Sequence, residues 1–329
     1  MKRIAIVGAG QWSEMMHLPA LFKTRDRRSA EYCAVCDLDR SKAEDYAAKL
    51  GCAAYSDIDA MIRAENPDGL ALLASPSALP ALIRKAAAAS IPFLSEKPPA
   101  PNAIEHQRLI ETVGGLPHLI AYNRRYSPYI RKAVEWLRGL SINYVSARFT
   151  RHRRFDADFT STAVHAIDAT RCLLGSDIKN VRIDIRKTGK TSSFFLNGVS
   201  VKGAHFDIAI SPDTGAAMEH YWIHSADRAV FVSFPQPPVV DAPGKIECFE
   251  ANQSIIVLTS DDFSITPDDL PSLAGITGEH DAFIELLDTG RTPESTLARS
   301  LQTQHIRDDL LSMLERGLDQ KEVLYSTEV

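Results

Sequence analysis

The sequence has no long apolar run. None of its segments approaches the roughly 18 uninterrupted apolar residues of a membrane-spanning helix. The N-terminal stretch 1–16 starts with basic residues, but its short apolar run ends in glycine rather than at a small-residue cleavage site, so we expect no export signal. We therefore predict a cytoplasmic protein without a membrane partner.

Cysteine is scarce, and charge of one sign is not in large excess. The five cysteines are an odd number scattered along 329 residues, which favours buried thiols over a disulfide framework. Cys33 and Cys36 form a CxxC within a strand-like run, where residues three apart face opposite sides, so we expect neither a redox pair nor a metal site. The formal net charge of -5 and the lack of a recognition motif argue against nucleic acid as a partner.

The first third of the chain alternates short apolar runs with helical patterns. The runs begin with KRIAIVG and SEMMHLPALFK and end with PHLIAYN. Because such alternation is typical of parallel strands joined by right-handed crossovers, we predict an α/β Rossmann domain, a doubly wound parallel sheet, over residues 1–121. A chain of 329 residues is too long for one ordinary core, so a second domain should follow.

Residues 122–329 have a different character. Helical patterns at SPYIRKAVEWLRG and STAVHAIDATRCLLG are interleaved with β-rich runs from SINYVSARFTRHRRF to QSIIVLT, and two helical patterns close the chain. Strands in succession favour antiparallel pairing. We predict a C-terminal α+β domain with a largely antiparallel open sheet and helices on one face, with the proline-rich segment 234–244 as a surface loop.

A glycine pair follows the first predicted strand. Gly8 permits a tight turn, Gly10 lets a helix N-terminus approach a pyrophosphate, and Ser13 replaces the third glycine of a GxGxxG motif. Asp37 ends the second strand, where a carboxylate accepts hydrogen bonds from a ribose and repels a 2'-phosphate, which favours NAD. Arg40 leaves NADP open. The alternative interpretation is a structural turn, with Asp37 as a helix cap before DRSKAE.

The prolines of the stretch SEKPP, residues 95–99, restrict the backbone conformation of a lysine. Because the residue before a proline is pushed out of helical conformation, we expect Lys97 to be extended at the end of a parallel strand. Ligands of such sheets bind beyond the carboxyl ends of the strands. Glu96 beside it can pair with a charged group or cap nearby backbone.

Taken together, these motifs resemble one family over nearly the whole chain. The set comprises GxGxx, Asp37, the ASP at 74–76, SEKPP, AYNRRYSP and the HxxD formed by His165 and Asp168. It is similar to the glucose-fructose oxidoreductase/inositol dehydrogenase (Gfo/Idh/MocA) family. The resemblance implies an NAD(P)-dependent oxidoreductase that transfers a hydride between nicotinamide and a sugar, polyol or related hydroxy or keto compound.

The resemblance also implies roles for particular residues. It places Lys97 between nicotinamide and substrate, with His165 facing it from the second domain. Oxidation of a secondary alcohol needs a base for the hydroxyl proton and a cation near the developing alkoxide, roles that suit His165 and Lys97. The cofactor-binding residues that it implies are Gly8, Gly10, Gln11, Trp12, Asp37, Ser75, Pro76, Glu96 and Lys97.

One position departs from the family pattern. The family commonly has an aspartate four residues before the histidine, where this chain has Ser161, and a hydroxyl carries no negative charge at neutral pH. Asp168, three residues after the histidine on the same helix face, is our candidate to orient the imidazole, with Asp156 and Asp158 as alternatives. The departure favours a rival function, a non-catalytic sensor or partner protein that binds dinucleotide or sugar.

Several residues are candidates for contact with a small-molecule substrate. Asn123 and Arg124 follow the last Rossmann strand and either reach the cleft or bridge the domains. In RFTRHRRF, a strand would place Arg151 and Arg153 on one face and His152 and Arg154 on the other. One of these pairs would suit an anionic substrate, although such a run is more often a solvated edge. Ser161 completes the candidate set. By analogy with relatives that pair through an exposed sheet face, we expect a homodimer or homotetramer.

Overall fold

The computed structural model describes residues 1–27, 29–155, 159–235 and 240–325. The chain forms two compact units, Met1–Asn123 with Gly275–Gln304 and Arg124–Ala274 with His305–Val329. The predicted division had a single cut after residue 121, whereas 275–304 belong with the first unit. The reason is packing, because Phe283 and Leu287 fill the space where a side chain on Gly69 would lie.

Fifteen strands are present in the described residues. They are β1 (Lys2–Val7), β2 (Ala30–Cys36), β3 (Ala53–Tyr55), β4 (Gly69–Leu72), β5 (Phe93–Ser95), β6 (His118–Ile120), β7 (Ile142–Thr150), β8 (Ile178–Thr188), β9 (Thr191–Ser200), β10 (His205–Ser211), β11 (Met218–Ser225), β12 (Ala229–Ser233), β13 (Lys245–Glu250), β14 (Gln253–Leu258) and β15 (Gln320–Leu324).

Ten α-helices are present in the same residues. They are α1 (Leu18–Asp26), α2 (Arg40–Leu50), α3 (Ile58–Glu65), α4 (Leu79–Ala88), α5 (Ala103–Val113), α6 (Pro128–Trp136), α7 (Thr160–Leu174), α8 (Leu270–Leu273), α9 (Ile276–Thr289) and α10 (Leu297–Arg316). A π-helical turn, Ser13–His17, leads into α1, and a 3-10 turn, Asn123–Tyr126, follows β6. No helix in the described part of the chain has the length and apolarity to cross a membrane.

The first unit contains a six-stranded parallel sheet. Its order, β3-β2-β1-β4-β5-β6, is that of doubly wound dinucleotide-binding sheets. The predicted parallel Rossmann sheet is confirmed. The strand β3 and the helix α3 were not foreseen; β3 has only three residues, none of them buried, and is too short to stand out in the sequence.

The second unit contains a nine-stranded sheet of order β14-β13-β12-β11-β7-β10-β9-β8-β15. Every neighbouring pair is antiparallel except β7 and β10, so the prediction of a largely antiparallel sheet is confirmed. Helix α7 packs on β7 and β10, while α6 packs on β12 and β13. The expectation that helices end the chain is wrong, because β15 follows α10 and pairs with β8.

The basic tract does not continue its strand. Strand β7 ends at Thr150, and Arg153 has a φ of 50°, so the predicted alternation of faces over 151–154 is wrong. Strand β7 also lies inside the sheet between β10 and β11, so the tract does not form a sheet edge, although His152 and Arg153 are exposed beyond the strand. In the predicted loop 234–244, residues 236–239 lie outside the described residues.

Candidate active site

The glycine loop joins β1 to the helical turn that begins at Gln11. Gly8 has a φ of +107°, and its N–H donates to the carbonyl oxygen of Cys36 at 2.8 Å. A Cβ at this position would lie 2.6 Å from the carbonyl oxygen of Leu73, so both conformation and space require glycine. Apart from Gly10 itself and its two chain neighbours, no described residue has an atom within 4 Å of a Cβ built on Gly10, which leaves open space at the helix N-terminus.

The carboxylate of Asp37 ties this loop to the end of β2. Its Oδ2 accepts a hydrogen bond from the N–H of Ala9 at 2.8 Å, and its Oδ1 accepts one from the N–H of Asp39 at 2.9 Å. The helix-cap interpretation of Asp37 is wrong, because Asp39 caps α2 by accepting from the N–H groups of Ser41 and Lys42. Asp37 is only half-buried and each of its oxygens has a second lone pair, so it can still accept from a ribose.

The loop fits a dinucleotide. The open space at Gly10 faces a helix N-terminus, where backbone N–H groups favour an anion such as pyrophosphate. Ser13 is buried in the place of the third glycine, and its hydroxyl lies 3.1 Å from that of Tyr46. Ser75 and Pro76 are exposed just beyond β4. These residues would hold the cofactor, whose nicotinamide supplies or accepts the hydride when bound.

Glu96 is buried directly after β5 and accepts three hydrogen bonds. Its Oε1 accepts from Trp12 Nε1 at 3.0 Å and from His17 Nε2 at 2.8 Å, while its Oε2 accepts from the backbone N–H of Lys97 at 3.0 Å. Burial alone would raise the pKa of Glu96, but His17 and Lys97 hold that pKa below its usual value. Lys97 itself is half-buried, and the Lys97–Pro98 peptide bond is cis. Trp12 and Glu96, both predicted cofactor residues, are thus in direct contact.

A second imidazole continues this cluster. His17 Nδ1 lies 3.0 Å from His280 Nε2 and 4.0 Å from Glu279 Oε1, and all three residues are buried. Burial and the nearby His17 lower the pKa of His280 well below its usual value, so this ring is neutral at pH 7. Sequence reasoning missed the cluster. Its one local signal is a histidine inside the apolar pattern that follows the glycine loop.

In the second unit, α7 carries His165 and Asp168, and both are buried. Asp168 accepts a bidentate pair from Arg125, with Oδ2 2.7 Å from Nε and Oδ1 2.9 Å from Nη2. A guanidinium of Arg171 also lies 3.9 Å away. The structure therefore gives Asp168 an arginine partner that was not predicted, from the same YNRRY motif as Arg124. That Asp168 orients His165 stays a prediction.

Arg124 and Arg151, both proposed as substrate residues, meet on one buried carboxylate. Glu219 accepts from Arg124 Nε and Nη2 and from Arg151 Nη2, each at 3.0 Å, and from the hydroxyl of Tyr221 at 2.7 Å. Both guanidiniums also lie near the ring of Phe149, whose centroid is 3.8 Å from Cζ of Arg151 and 5.7 Å from Cζ of Arg124. All three charged side chains are at least nine-tenths buried. Glu219 was missed, although a glutamate at an inward position of the alternating run MEHYWIHS is a detectable signal.

Asn123 and Ser161 are the remaining candidate residues for substrate contact. Asn123 is buried at the start of the 3-10 turn after β6. The side chain of Ser161 lies outside the described part of the structure, as do Asp156 and Asp158. The proposed replacement of the family aspartate therefore stays a prediction.

The described residues support neither metal binding nor reactive thiols at the CxxC formed by Cys33 and Cys36. Within the described ranges, no group of three or more histidine, cysteine, aspartate or glutamate residues has a metal-binding arrangement. Cys33 and Cys36 are buried on β2, and burial raises the pKa of each thiol to about 11. Because the thiolate is the reactive form, both are inert at neutral pH.

The sheet order and the glycine loop define a Rossmann protein with a dinucleotide-binding site. Residues 2–121 match the model of an oxidoreductase family with an NAD-binding Rossmann fold, Gfo/Idh/MocA. This match covers the first unit's residues up to β6.

Curated proteins and solved structures of oxidoreductases are both similar to this chain. The inositol 2-dehydrogenase of Corynebacterium glutamicum (strain R) is 30% identical over 216 residues, which cover 60% of this chain and 60% of that protein. The chain thus spans about three fifths of the length of the relatives it matches. A Gfo/Idh/MocA family oxidoreductase from Vibrio cholerae has a TM-score of 0.78 at 16% identity, covering 97% of this chain and 99% of that one.

A third relative was solved with its cofactor. An oxidoreductase from Agrobacterium radiobacter in complex with NAD+, L-tartaric acid and magnesium has a TM-score of 0.77 at 16% identity, covering 98% of both chains. At these identities the solved structures show the fold, and the family match supports NAD as the cofactor.

Proposed function

We propose that this chain is an NAD-dependent dehydrogenase that interconverts a secondary alcohol and a ketone of a sugar or polyol. The observation that carries the proposal is the contact between the cofactor loop and the Glu96–Lys97 pair, through Trp12, in an NAD-binding family domain. The inositol 2-dehydrogenases among its relatives support a polyol as the substrate class.

The chain's own groups have distinct roles in this proposal. Gly8 and Gly10 shape the loop for the pyrophosphate, and Asp37 accepts from the adenosine ribose and disfavours a 2'-phosphate. Lys97 steadies the oxygen that develops negative charge. His165 removes or returns the hydroxyl proton.

A neutral substrate fits better than an anionic one. The guanidiniums of Arg124 and Arg151, which would suit an anion, are already engaged by Glu219 in a buried cluster. To bind a carboxylate or phosphate they would have to leave that partner, which costs several kcal/mol for a desolvated ion pair. We therefore favour an uncharged polyol or sugar.

We also propose self-association as a homodimer or homotetramer through the sheet of the second unit. Its support is a row of partly exposed aromatic rings, with the centroid of Trp222 4.6 Å from that of Phe231 and 5.8 Å from that of Phe249. Partly exposed aromatic side chains are typical of protein interfaces. Light scattering of the purified protein tests this proposal, and a monomer at all concentrations would contradict it.

The experiment for the activity is a turnover assay. Purified protein is incubated with NAD+ and a panel of cyclic polyols, sugar alcohols, aldoses and sugar acids while NADH absorbance is followed. We expect turnover with at least one polyol, and a loss of about 100-fold or more in kcat for Lys97→Ala and for His165→Ala. Lys132→Ala, which removes a partly exposed lysine that pairs with Glu135, serves as the matched control.

Two results would redirect the assignment. If the protein binds NAD+ but turns over nothing in the panel, the non-catalytic sensor is the better description, as the serine at position 161 suggests. If turnover occurs and neither variant reduces it, the assignment of the lysine and the histidine is wrong.

A further inference from the structure

The helix that follows the glycine loop is irregular at its start. In a regular α-helix, residues five apart point about 140° away from each other. The π-helical turn Ser13–His17 is wider, and wider turns bring such positions closer to one face. Trp12 and His17 consequently donate to the same atom, Oε1 of Glu96, at 3.0 and 2.8 Å.

The hydrogen bonds around Glu96 have a fixed direction. An ionised carboxylate only accepts, so His17 donates from Nε2. The other ring nitrogen of His17, Nδ1, lies 3.0 Å from Nε2 of His280. Oε1 of the carboxylate is therefore held by Trp12 and His17, and Oε2 receives the N–H of Lys97.

We propose that His17, held by His280 and assisted by Trp12, is a positioning residue that fixes Lys97 through the carboxylate of Glu96. The inference rests on the proposed function, in which Lys97 contacts the reacting oxygen. The π-helical turn is needed for this arrangement, because a regular helix would not bring Trp12 and His17 to the same oxygen of Glu96.

Stability alone is a poor explanation for this cluster. Buried ionic groups are often replaced by apolar residues without loss of stability, so a cluster of two imidazoles and two carboxylates is a weak stabilising device. Its polar atoms converge instead on the residue directly before Lys97. Misplacement of a catalytic group by about 1 Å lowers rates by about 100-fold, so contacts that fix the position of Lys97 should affect the reaction rate.

The test uses two substitutions of His17 and one control. His17→Leu removes both hydrogen bonds, whereas His17→Gln keeps a donor near the position of Nε2. Tyr46→Phe is the matched control, because it removes a buried hydrogen bond to Ser13 of the same turn without touching Glu96. The readouts are the hydrogen-exchange rate of the Lys97 amide by NMR in the cofactor-free protein, the affinity for NAD+, and kcat and KM.

We expect His17→Leu to accelerate exchange of the Lys97 amide at least about tenfold and to lower kcat about 10- to 100-fold, with less than about threefold change in KM and in NAD+ affinity. His17→Gln should recover most of both losses. Tyr46→Phe should leave the Lys97 amide and kcat close to the unmodified protein.

Equal exchange of the Lys97 amide in His17→Leu and Tyr46→Phe would overturn the inference. Should His17→Leu not fold, Trp12→Phe removes only the indole donor of a partly exposed side chain, and an unchanged Lys97 amide in that variant would overturn it equally. If the unmodified protein binds NAD+ without turnover, the proposed function fails on its own, and the amide rates still decide the positioning role.

Discussion

Replacing Glu219 with glutamine removes one negative charge from between two buried guanidiniums. In the native protein the carboxylate accepts three hydrogen bonds from Arg124 and Arg151 and a fourth from Tyr221. A glutamine has only one acceptor oxygen, and its amide donors would face arginine donors. The substitution is nearly the same size, so the effect reports charge and hydrogen bonding rather than a cavity.

The magnitude follows from the burial of the cluster. Removal of one partner of a buried ion pair costs about 3–5 kcal/mol, because it leaves an uncompensated charge. For a unit of this size, each kcal/mol lowers Tm by about 2–4 °C, so Glu219→Gln should lower the Tm of the second unit by about 6–20 °C. Arg151→Met should cost less, because Glu219 keeps its bidentate contact with Arg124.

The pH dependence has a definite sign. Burial alone would raise the pKa of Glu219, but Arg124 and Arg151 hold it below its usual value. A carboxyl group with a depressed native pKa contributes stability that is complete above its unfolded pKa, near 4.3, and is lost as the pH falls through the native pKa. The difference in Tm between the native protein and Glu219→Gln should therefore be constant above about pH 5 and should become smaller in stronger acid.

Thermal unfolding followed by circular dichroism between pH 3 and pH 7 measures both effects. Glu135→Gln is the matched control, because this exposed glutamate pairs with Lys132 and should change stability by less than about 0.5 kcal/mol. A Tm of Glu219→Gln within 2 °C of the native value at pH 7, roughly 1 kcal/mol, would refute the reasoning.

Three further outcomes are expected. Asp37→Ala should weaken NAD+ binding and reduce the preference for NAD+ over NADP+ measured by calorimetry, and an unchanged ratio would contradict the ribose contact. Gly8→Ala should destabilise the first unit by about 2 kcal/mol or more, as measured by denaturant unfolding, because of its positive φ and the 2.6 Å approach to Leu73. His118 donates from Nδ1 to Leu116 and accepts at Nε2 from the N–H of Leu297, and burial lowers its pKa. The stabilising contribution of neutral His118 is complete above pH 6.5 and is lost in more acid solution by up to about 1.4 kcal/mol per pH unit. His118→Gln should therefore flatten the plot of unfolding free energy against pH between pH 7 and pH 5. A slope identical to that of the native protein would contradict this role of His118.

The order of strands in the first unit follows from local patterns, since each buried parallel strand is a continuous apolar run that a helix separates from the next. The short strand β3 was not predicted, because pairing with β2, rather than its own composition, makes it a strand. The same holds for β15, which has alternating exposed residues and forms because β8 offers a free edge for pairing.

The candidate site was predictable where a motif acts through the backbone. The glycines and Asp37 could be placed because turn geometry restricts the residues that fit. The partners of Glu96 could not, because His17 and His280 are 263 positions apart and meet only through the packing of α9. The shared contact of Arg124 and Arg151 with Glu219 could not be predicted for the same reason, since the three residues are far apart in sequence and meet only in the folded unit.

The contact between Asp37 and the N–H of Ala9 has a consequence for redesign. Exchange of this aspartate for a small neutral residue, the obvious route toward acceptance of a phosphorylated ribose, also cuts the tether that holds the loop. Cofactor choice and loop shape are thus not independently adjustable here, and a successful switch requires a compensating acceptor for that backbone amide.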